Sequence, residues 1–261
     1  MDKKLFDQIN IDDIIAIARK AGKEILNIYN KDFSINYKND NSPITEADLV
    51  SNSIITTALE NYGVPILSEE GKEIKFNERS KWNYYWCIDP IDGTKEFIKK
   101  NNEFTINIAL INKTVPVLGV VFAPAIEDIY YAKNGSGAYK NGHQITIKTN
   151  NTSNTELKVV VSSSHRTYET QKFIDKLGAQ SKKISLITKG SSLKLCMVAE
   201  GVADIYPRLA PTMEWDTAAA DAIVRESGCM SYQLSNLKPL TYNKPDLHNP
   251  WFVVKNRFVQ I

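Results

Sequence analysis

The sequence has few cysteines, no excess of either charge and no long apolar run. Its three cysteines, Cys87, Cys196 and Cys229, include no C-x-x-C pair, which argues against a disulfide scaffold and a cysteine-based zinc site. The 32 basic and 30 acidic side chains leave a net charge of +2, so a general nucleic-acid binder, which needs a broad basic face, is not expected. The most apolar stretch, residues 104–125, contains polar residues and two prolines, and we do not expect it to span a bilayer.

Two nucleotide-binding motifs and a secretion signal are also missing. The chain contains no P-loop and no G-x-G-x-x-G, so nucleoside triphosphate hydrolysis and nicotinamide chemistry have no support. The first residues lack the apolar core of a signal peptide, and we expect a cytoplasmic protein. What is present is typical of a folded domain, since 43% of the residues are hydrophobic and 24% are charged.

Hydrophobic periodicity predicts an α+β fold. Apolar residues at steps of three or four indicate helices at 10–30 and 43–62, whereas apolar alternation from residue 104 indicates strands. Because several strands follow one another without helices between them, we expect antiparallel pairing. Further along, the pattern predicts strands at 104–111, 115–122, 128–132, 137–140, 157–162, 184–188 and 203–206, and helices at 168–177, 191–200 and 216–227.

A polar, turn-rich stretch at 149–155 predicts a seam between two lobes. We expect an N-terminal α+β lobe at 1–150 and a C-terminal α/β lobe at 151–261, packed as one compact unit. Helices and strands grouped in blocks are typical of a layered sandwich.

A corner with two carboxylates follows an apolar strand in the first half of the chain. Pro90 fixes its own φ at about −65° and keeps Asp89 extended, so that Asp89, Asp92 and the Ile91 carbonyl can face one point. Gly93 leaves room for a ligand beside the backbone, and the following amides could face an anion. Oxygen ligands without histidine or cysteine favour Mg²⁺, Mn²⁺ or Ca²⁺ over Zn²⁺. The alternative is a solvated turn, because Asp, Pro and Gly all form turns.

Two further sets of acids extend this pattern. Glu69 and Glu70 follow a short apolar strand, and Asp216 opens an alanine-rich helix. Taken alone, the two glutamates are typical of an exposed surface and Asp216 of a helix N-cap. Spacing along the chain does not show whether these acids meet Asp89 and Asp92.

Three motifs in order resemble the signatures of the inositol monophosphatase-like, lithium-sensitive phosphatases. They are LSEE at 67–70, DPIDGT at 89–94 and WDTAA at 215–219, and the likeness runs from about residue 10 to 255. Further segments resemble the bisphosphate nucleotidases of that family: NSP at 41–43, KEFI at 95–98, NEFT at 102–105, GSSLK at 190–194 and YPR at 206–208. One departure is Asn102, where those enzymes usually carry glycine, and we expect it to contact a loop and not a ligand. The resemblance implies a layered α-β-α-β-α sandwich.

The resemblance also implies a metal cluster, built mainly from motifs of the first lobe, and a pair of side chains that activates water. The implied ligands are Glu69, Asp89, Asp92, Asp216 and the main-chain oxygen of Ile91, and they would bind two or three Mg²⁺ ions, with Mn²⁺ as the alternative. Asp48 matches the acid that pairs with the Thr94 hydroxyl to orient and deprotonate the attacking water. Metal ions about 3.5–4 Å apart acidify that water and neutralise the leaving oxygen, so no residue need become phosphorylated.

Substrate choice is expected to come from residues of the second lobe. The turn at 190–192 precedes a helix, so its amides and hydroxyls can hold a phosphate or ribose oxygen, with a simple serine N-cap as the alternative. Lys194 and Arg208 could supply charge for a second phosphate, and His165 could touch a base or phosphate, although such residues are more often structural or solvated. The predicted substrate contacts are Glu69, Ile91, Asp92, Gly93, Thr94, His165, Ser191, Ser192, Lys194, Arg208 and Asp216.

The expected activity is removal of the 3′-phosphate from adenosine 3′,5′-bisphosphate, and from its 3′-phospho-sulfated relative, by a Mg²⁺-dependent phosphatase. Two separate anion sites suit a doubly phosphorylated nucleotide better than inositol monophosphate. By resemblance, the enzyme clears a by-product of sulfate assimilation and is inhibited by Li⁺. We expect a monomer or homodimer without a transmembrane segment, in the cytoplasm or at the surface of the inner membrane.

Three alternatives remain open at this point. The first is an inositol monophosphatase or a fructose bisphosphatase of the same family. The second is a phosphatase with an aspartyl-phosphate, suggested by Asp92 and the Gly-Thr after it, but such enzymes need D-x-D near the N-terminus and here the acids are three residues apart. The third is a Ca²⁺-stabilised binding module in which the acids are structural.

Overall fold

The computed structural model describes residues 6–38, 40–145, 147, 156–162, 167–179 and 183–259. Its helices are α1 (Ile11–Tyr29), α2 (Glu46–Glu60), α3 (Phe76–Arg79), α4 (Thr94–Ile98), α5 (Tyr168–Gly178), α6 (Leu193–Ala199) and α7 (Trp215–Glu226). Its strands are β1 (Ile35–Tyr37), β2 (Pro43–Thr45), β3 (Ile66–Ser68), β4 (Tyr84–Asp92), β5 (Thr105–Asn112), β6 (Val115–Ala123), β7 (Asp128–Lys133), β8 (Ala138–Lys140), β9 (His143–Gln144), β10 (Glu156–Ser162), β11 (Lys183–Lys189), β12 (Ile205–Arg208), β13 (Cys229–Gln233) and β14 (Phe252–Asn256). Among these residues, no helix has the length and apolar character needed to cross a bilayer.

Helices α1 and α2 form the outer layer of the N-terminal half. The Asn10 side chain accepts the Asp12 N–H at 3.1 Å and caps α1. The apolar stripe of α1, which includes Ile14, Ala18 and Ile25, is fully buried against the larger sheet, as the helical periodicity predicts.

Helix α2 begins at Glu46, not at residue 43 as the apolar pattern predicted. Residues 43–45 are β2, which pairs antiparallel with β1. The Asp48 carboxylate accepts the Thr45 N–H at 2.8 Å and its hydroxyl at 2.7 Å, and this capping sets the first turn of the helix. The prediction was wrong because the pairing of β1 with β2 joins separate segments, and helical periodicity does not report it.

The larger sheet has seven strands in the order β3-β4-β5-β6-β7-β8-β9. Strand β3 is parallel to β4, and each later pair is antiparallel. The predicted antiparallel run is therefore confirmed. One face of this sheet packs on α1 and α2, and the other packs on α6 and α7.

The smaller sheet has five strands in the order β11-β10-β12-β14-β13. Strand β10 is parallel to β11 and β12, whereas β14 is antiparallel to β12 and β13. Strand β12 lies two residues beyond its predicted position, and it contains Pro207. Its pairing with β10 is confined to Ile205 and Val159, so the prolyl nitrogen, which has no proton to donate, comes after that pairing ends.

The order of the layers is α-β-α-β-α, as the family resemblance implied. Helices α6 and α7 lie between the two sheets, and α5 covers the outer face of the smaller sheet. Gly119 of β6 allows α7 to approach closely, because a Cβ at this position would lie 2.1 Å from the carbonyl oxygen of Ala219. This contact fixes α7, and the acid in its first turn, against the larger sheet.

The chain passes from the larger to the smaller sheet between Gln144 and Glu156. Helix α7, from the C-terminal half, packs on the sheet of the N-terminal half. The division into lobes at 1–150 and 151–261 stays a prediction, and most of the proposed seam at 149–155 falls outside the described residues.

Candidate active site

A bulge near the end of β4 carries the two aspartates of the predicted corner. Asp89 pairs with Asn107 of β5 and Asp92 pairs with Thr105, so three steps along β4 correspond to two along β5. Pro90, which cannot donate to the ladder, lies inside this bulge. Bulges of this kind change the direction of side chains at the edge of a site.

Glu69, Asp89 and Asp216 form a cluster of carboxylates although they are far apart in sequence. One carboxylate oxygen of each lies within 4.8 Å of the other two. Strand β3 is parallel to β4, and its last residue, Ser68, pairs with Ile88. Glu69, the next residue after β3, therefore lies beside Asp89. Asp216 enters from the first turn of α7, where its carboxylate accepts the Met213 N–H at 2.9 Å.

The donor chemistry of this cluster fits a hard divalent cation. Carboxylate oxygens, without histidine or cysteine, are the ligands that Mg²⁺ and Mn²⁺ prefer. Burial and the neighbouring carboxylates raise the pKa values of Asp89 and Asp216 well above the ordinary range, and burial raises the pKa of Asp92 to about 6. Ionising these groups together is unfavourable unless a cation is close by.

Lys38 supplies one positive charge at the edge of the cluster. Its ammonium nitrogen lies 3.0 Å from Oε1 of Glu69 and also pairs with Glu70. Burial alone would lower the pKa of Lys38, but the two glutamates outweigh it and hold the pKa above its ordinary value. The loop after β1 therefore contributes to the electrostatics of the site.

Asp48 and Thr94 meet beside the acid corner, as the resemblance implied. The Thr94 hydroxyl lies 3.1 Å from Oδ1 of Asp48 and 3.4 Å from the Ile91 carbonyl oxygen. Thr45 occupies the other carboxylate oxygen of Asp48, whose side chain is buried. Burial raises the pKa of Asp48, which makes it a better proton acceptor than an exposed aspartate.

A cleft of about 210 Å³ opens beside Thr94 and the carboxylates of Glu69, Asp92 and Asp216. Nine of the residues predicted as substrate contacts line it: Glu69, Asp92, Gly93, Thr94, Ser191, Ser192, Lys194, Arg208 and Asp216. Of the remaining two, Ile91 is buried behind the cleft with its carbonyl near Thr94, and His165 lies outside the described residues.

The far wall of the cleft carries two cationic side chains. Lys194 is buried, donates to the Ser191 carbonyl and lies 5.6 Å from the centre of the Tyr206 ring. Burial lowers its pKa to about 8, although the charge of Asp92 opposes that shift. Arg208 donates to the Pro211 carbonyl at 2.8 Å. The cleft thus has an acidic floor and a basic wall, an arrangement that can hold cations and a phosphate together.

The sequence profile of the inositol monophosphatase family matches residues 8–253. The chain belongs to the inositol monophosphatase family.

Individual members of the family are similar over most of the chain. The 3′(2′),5′-bisphosphate nucleotidase CysQ of Buchnera aphidicola subsp. Acyrthosiphon pisum (strain APS) is 42% identical over 234 residues, or 85% of this chain and 86% of that protein. The protein of the same name from Escherichia coli (strain K12) is 40% identical over 252 residues, or 94% of this chain and 98% of that protein. The crystal structure of CysQ from Bacteroides thetaiotaomicron, described as a bacterial member of the family, superposes with a TM-score of 0.86 at 41% identity, covering 97% of this chain and 99% of that one.

Sequence reasoning missed several side chains that border the site in this member of the family. Lys38 lies in none of the sequence motifs that indicated the site. Thr105 and Asn107, in contrast, are polar residues that alternate with Ile106 and Ile108 in a strand buried on both faces. Polar side chains in such a strand need partners, and this was the signal that could have identified them.

Asn102, the residue that departs from the family pattern, contacts the end of helix α1. Asn102 adopts φ +66, a conformation that glycine tolerates best. Its side-chain oxygen accepts the Tyr29 hydroxyl at 2.8 Å, at the end of α1. The expected partner was a loop, and the observed partner is instead the last residue of helix α1.

In the absence of divalent cations, we expect the acidic cluster to make the protein less stable as the pH rises. The pKa of Asp92 is raised from 3.8 to about 6 on folding, and those of Asp89 and Asp216 are raised further above the ordinary range. Groups with a raised folded pKa stabilise the fold below the unfolded pKa and lose that contribution as the pH passes the folded pKa. Urea midpoints in EDTA and in Mg²⁺ should therefore diverge between pH 5 and pH 8, with the EDTA sample lower. If the urea midpoints in EDTA and in Mg²⁺ were equal across this pH range, the carboxylate cluster would not destabilise the metal-free protein.

Proposed function

We propose that this chain is a Mg²⁺-dependent 3′(2′),5′-bisphosphate nucleotidase, which releases the 3′-phosphate of adenosine 3′,5′-bisphosphate and leaves AMP. The observation that carries the proposal is the 40–42% identity, over most of the chain, to relatives that bear this name. The acidic floor and the basic wall of the cleft support it, because they suit a substrate with two phosphates better than one with a single phosphate.

The side chains that would hold Mg²⁺ are those of the acid corner and its neighbours: Glu69, Asp89, Asp92 and Asp216, with the main-chain oxygen of Ile91. We propose two or three ions, with Mn²⁺ as the alternative. When bound, such ions acidify the attacking water and offset the charge on the leaving oxygen. For Glu69, Asp89 and Asp216, carboxylate oxygens that all lie within 4.8 Å of one another, with Asp89 buried, support this assignment. Asp92 is included because it follows Asp89 on the same bulge of β4.

Asp48 and Thr94 would orient the attacking water and take its proton. In this step the water oxygen bonds to phosphorus, and the bond between phosphorus and the ribose 3′ oxygen breaks. The proton of the water passes by way of the Thr94 hydroxyl to Asp48, and the leaving oxygen takes up a proton from solvent. The hydrogen bond of 3.1 Å between Thr94 and Asp48, and the raised pKa of Asp48, support this role.

The second wall of the cleft would hold the substrate. Ser191, Ser192, Lys194 and Arg208 are proposed to bind the phosphate and ribose oxygens, together with Gly93 and Thr94 on the opposite side. Their position along one cleft of about 210 Å³ supports the assignment. His165 stays a prediction from sequence.

We also propose a cytoplasmic enzyme of sulfur metabolism that is sensitive to Li⁺ and works as a monomer or homodimer. The names of the relatives support a nucleotide substrate. Nothing in the described residues supports the association with a membrane surface that the sequence left open.

The test is phosphate release from adenosine 3′,5′-bisphosphate, inositol 1-phosphate and fructose 1,6-bisphosphate, each with and without Mg²⁺ and Li⁺. We expect the nucleotide to give the highest kcat/KM, Mg²⁺ to be required and Li⁺ to inhibit. A preference for inositol 1-phosphate or the sugar would replace the nucleotidase with another activity of the family.

A further inference from the structure

Two fully buried polar side chains on β5 lie between the acid corner and the cleft turn at 190–192. Thr105 and Asn107 are both 0% exposed, and Ser192, at the end of that turn, is 1% exposed. Burial of such groups is unfavourable unless they are hydrogen-bonded. They are bonded here, to one another and to the acid corner.

Hydrogen bonds connect these three side chains to Asp92 in one network. The oxygens of Thr105 and Ser192 are 2.8 Å apart, and the Ser192 hydroxyl donates to Oδ1 of Asn107 at 2.8 Å. The Asn107 amide nitrogen faces Oδ2 of Asp92 at 3.5 Å. The amide therefore presents its nitrogen to Asp92 and its oxygen to Ser192. The Thr105 hydroxyl faces two acceptors, the Ser192 oxygen at 2.8 Å and Oδ1 of Asn107 at 3.3 Å, and its one proton serves one of them.

The cleft turn depends on support from outside itself. Ser191 adopts φ +46, a left-handed conformation that is unfavourable for a residue with a side chain. The turn is held at its start by Glu103, whose Oε2 accepts the Gly190 N–H at 2.7 Å. It is held at its end through Ser192, whose hydroxyl donates to Oδ1 of Asn107 at 2.8 Å.

We propose that Asn107 is a positioning residue that sets the orientation of Asp92 and the place of Ser192 at the same time, and so links the acidic cluster to the substrate wall of the cleft. The inference rests on the proposed function, since it assigns Asp92 to the metal and Ser192 to the substrate. Side chains that orient metal ligands typically change metal affinity or activity by about 10–100-fold when removed.

The experiment compares Asn107→Ala with Asn112→Ala. Asn112 is the control for the residue type and the strand, because this half-buried asparagine lies at the far end of β5 and, within the part of the chain that the structure describes, its amide donates to the Tyr84 hydroxyl at 3.2 Å and to no residue of the cleft. Mg²⁺ affinity is measured by calorimetry without substrate, and KM and kcat are measured separately with adenosine 3′,5′-bisphosphate. We expect Asn107→Ala to weaken Mg²⁺ binding about tenfold and to raise KM by a similar factor, and Asn112→Ala to change neither.

Ser192→Ala tests the Asn107–Ser192 contact separately from the Asn107–Asp92 contact. It removes the hydroxyl that Asn107 accepts but leaves the contact between Asn107 and Asp92, so KM should rise while the Mg²⁺ affinity stays within about twofold of the wild type. If Asn107→Ala fails to fold, Asn107→Leu keeps the side-chain volume and serves in its place, with the same expectation.

A purely structural role predicts a different pattern. It would lower the melting temperature and the active fraction, and hence the apparent kcat, while KM and Mg²⁺ affinity stayed unchanged. That pattern, or wild-type values throughout, would overturn the proposal. The Mg²⁺ measurement needs no substrate, so a wild-type enzyme that prefers inositol 1-phosphate would refute the nucleotidase function and leave the test of Asn107 readable.

Discussion

The Asp48→Asn variant is expected to fold normally and to lose at least a hundredfold in kcat/KM. The amide keeps one oxygen, which can accept the Thr45 N–H and hydroxyl as the carboxylate does at 2.8 and 2.7 Å. Its nitrogen then faces the Thr94 hydroxyl, which can accept as well as donate. The helix cap is retained, but the group that takes the proton of the water is lost. General-base catalysis contributes about 10²–10⁴-fold.

The matched control for this variant is Asp128→Asn. Asp128 is half-buried where Asp48 is fully buried, it pairs with Lys140 at 3.0 Å on β8, and it is not among the residues that line the cleft. We expect it to keep wild-type kcat/KM. Circular dichroism and a melting curve verify the fold of both variants, and phosphate release gives the rates. Full turnover by Asp48→Asn would remove Asp48 from the chemistry and leave it the role of a helix cap.

The acid corner could be predicted from local chemistry. A proline between two aspartates at the end of an apolar strand restricts the backbone of both Pro90 and Asp89, and the structure has a bulge at that place. The meeting of Glu69 and Asp216 with this corner could not be derived from spacing. It follows from the parallel pairing of β3 with β4 and from the packing of α7 on β6 at Gly119, which are contacts between distant segments.

Other features escaped prediction because they depend on the same kind of distant contact. Residues 43–45 have the composition of a first helical turn, and only the pairing with β1 makes them a strand. The short helix α6 begins two residues later than predicted because Ser191 has φ +46. Lys38 reaches Glu69 and Glu70 from a neighbouring loop. None of these contacts leaves a periodic or compositional signal near the residues concerned.

The second large effect is expected for Asp89→Asn, which should abolish Mg²⁺-dependent activity and yet stabilise the metal-free protein. Asp89 is buried among Glu69, Asp92 and Asp216, and its burial, together with these carboxylates, holds its pKa well above the ordinary range. A neutral amide of the same shape removes this repulsion. In EDTA at pH 8, the melting temperature of the variant should exceed that of the wild type. The wild type should gain stability on addition of Mg²⁺, because the ion binds only the folded protein, and the variant should gain much less.

Asp221→Asn is the contrasting control, because Asp221 is an equally buried aspartate with a different environment. Its carboxylate pairs with Arg225 at 2.9 Å and accepts the Tyr242 hydroxyl at 3.0 Å. Removal of one member of a buried ion pair typically costs about 3 kcal/mol or more, so Asp221→Asn should lower the melting temperature with and without Mg²⁺. The two substitutions are chemically identical, and the opposite signs in EDTA follow only from the charges nearby. If Asp89→Asn also lowers the melting temperature in EDTA, the cluster is not under electrostatic strain, and its carboxylates are held by partners other than a divalent cation.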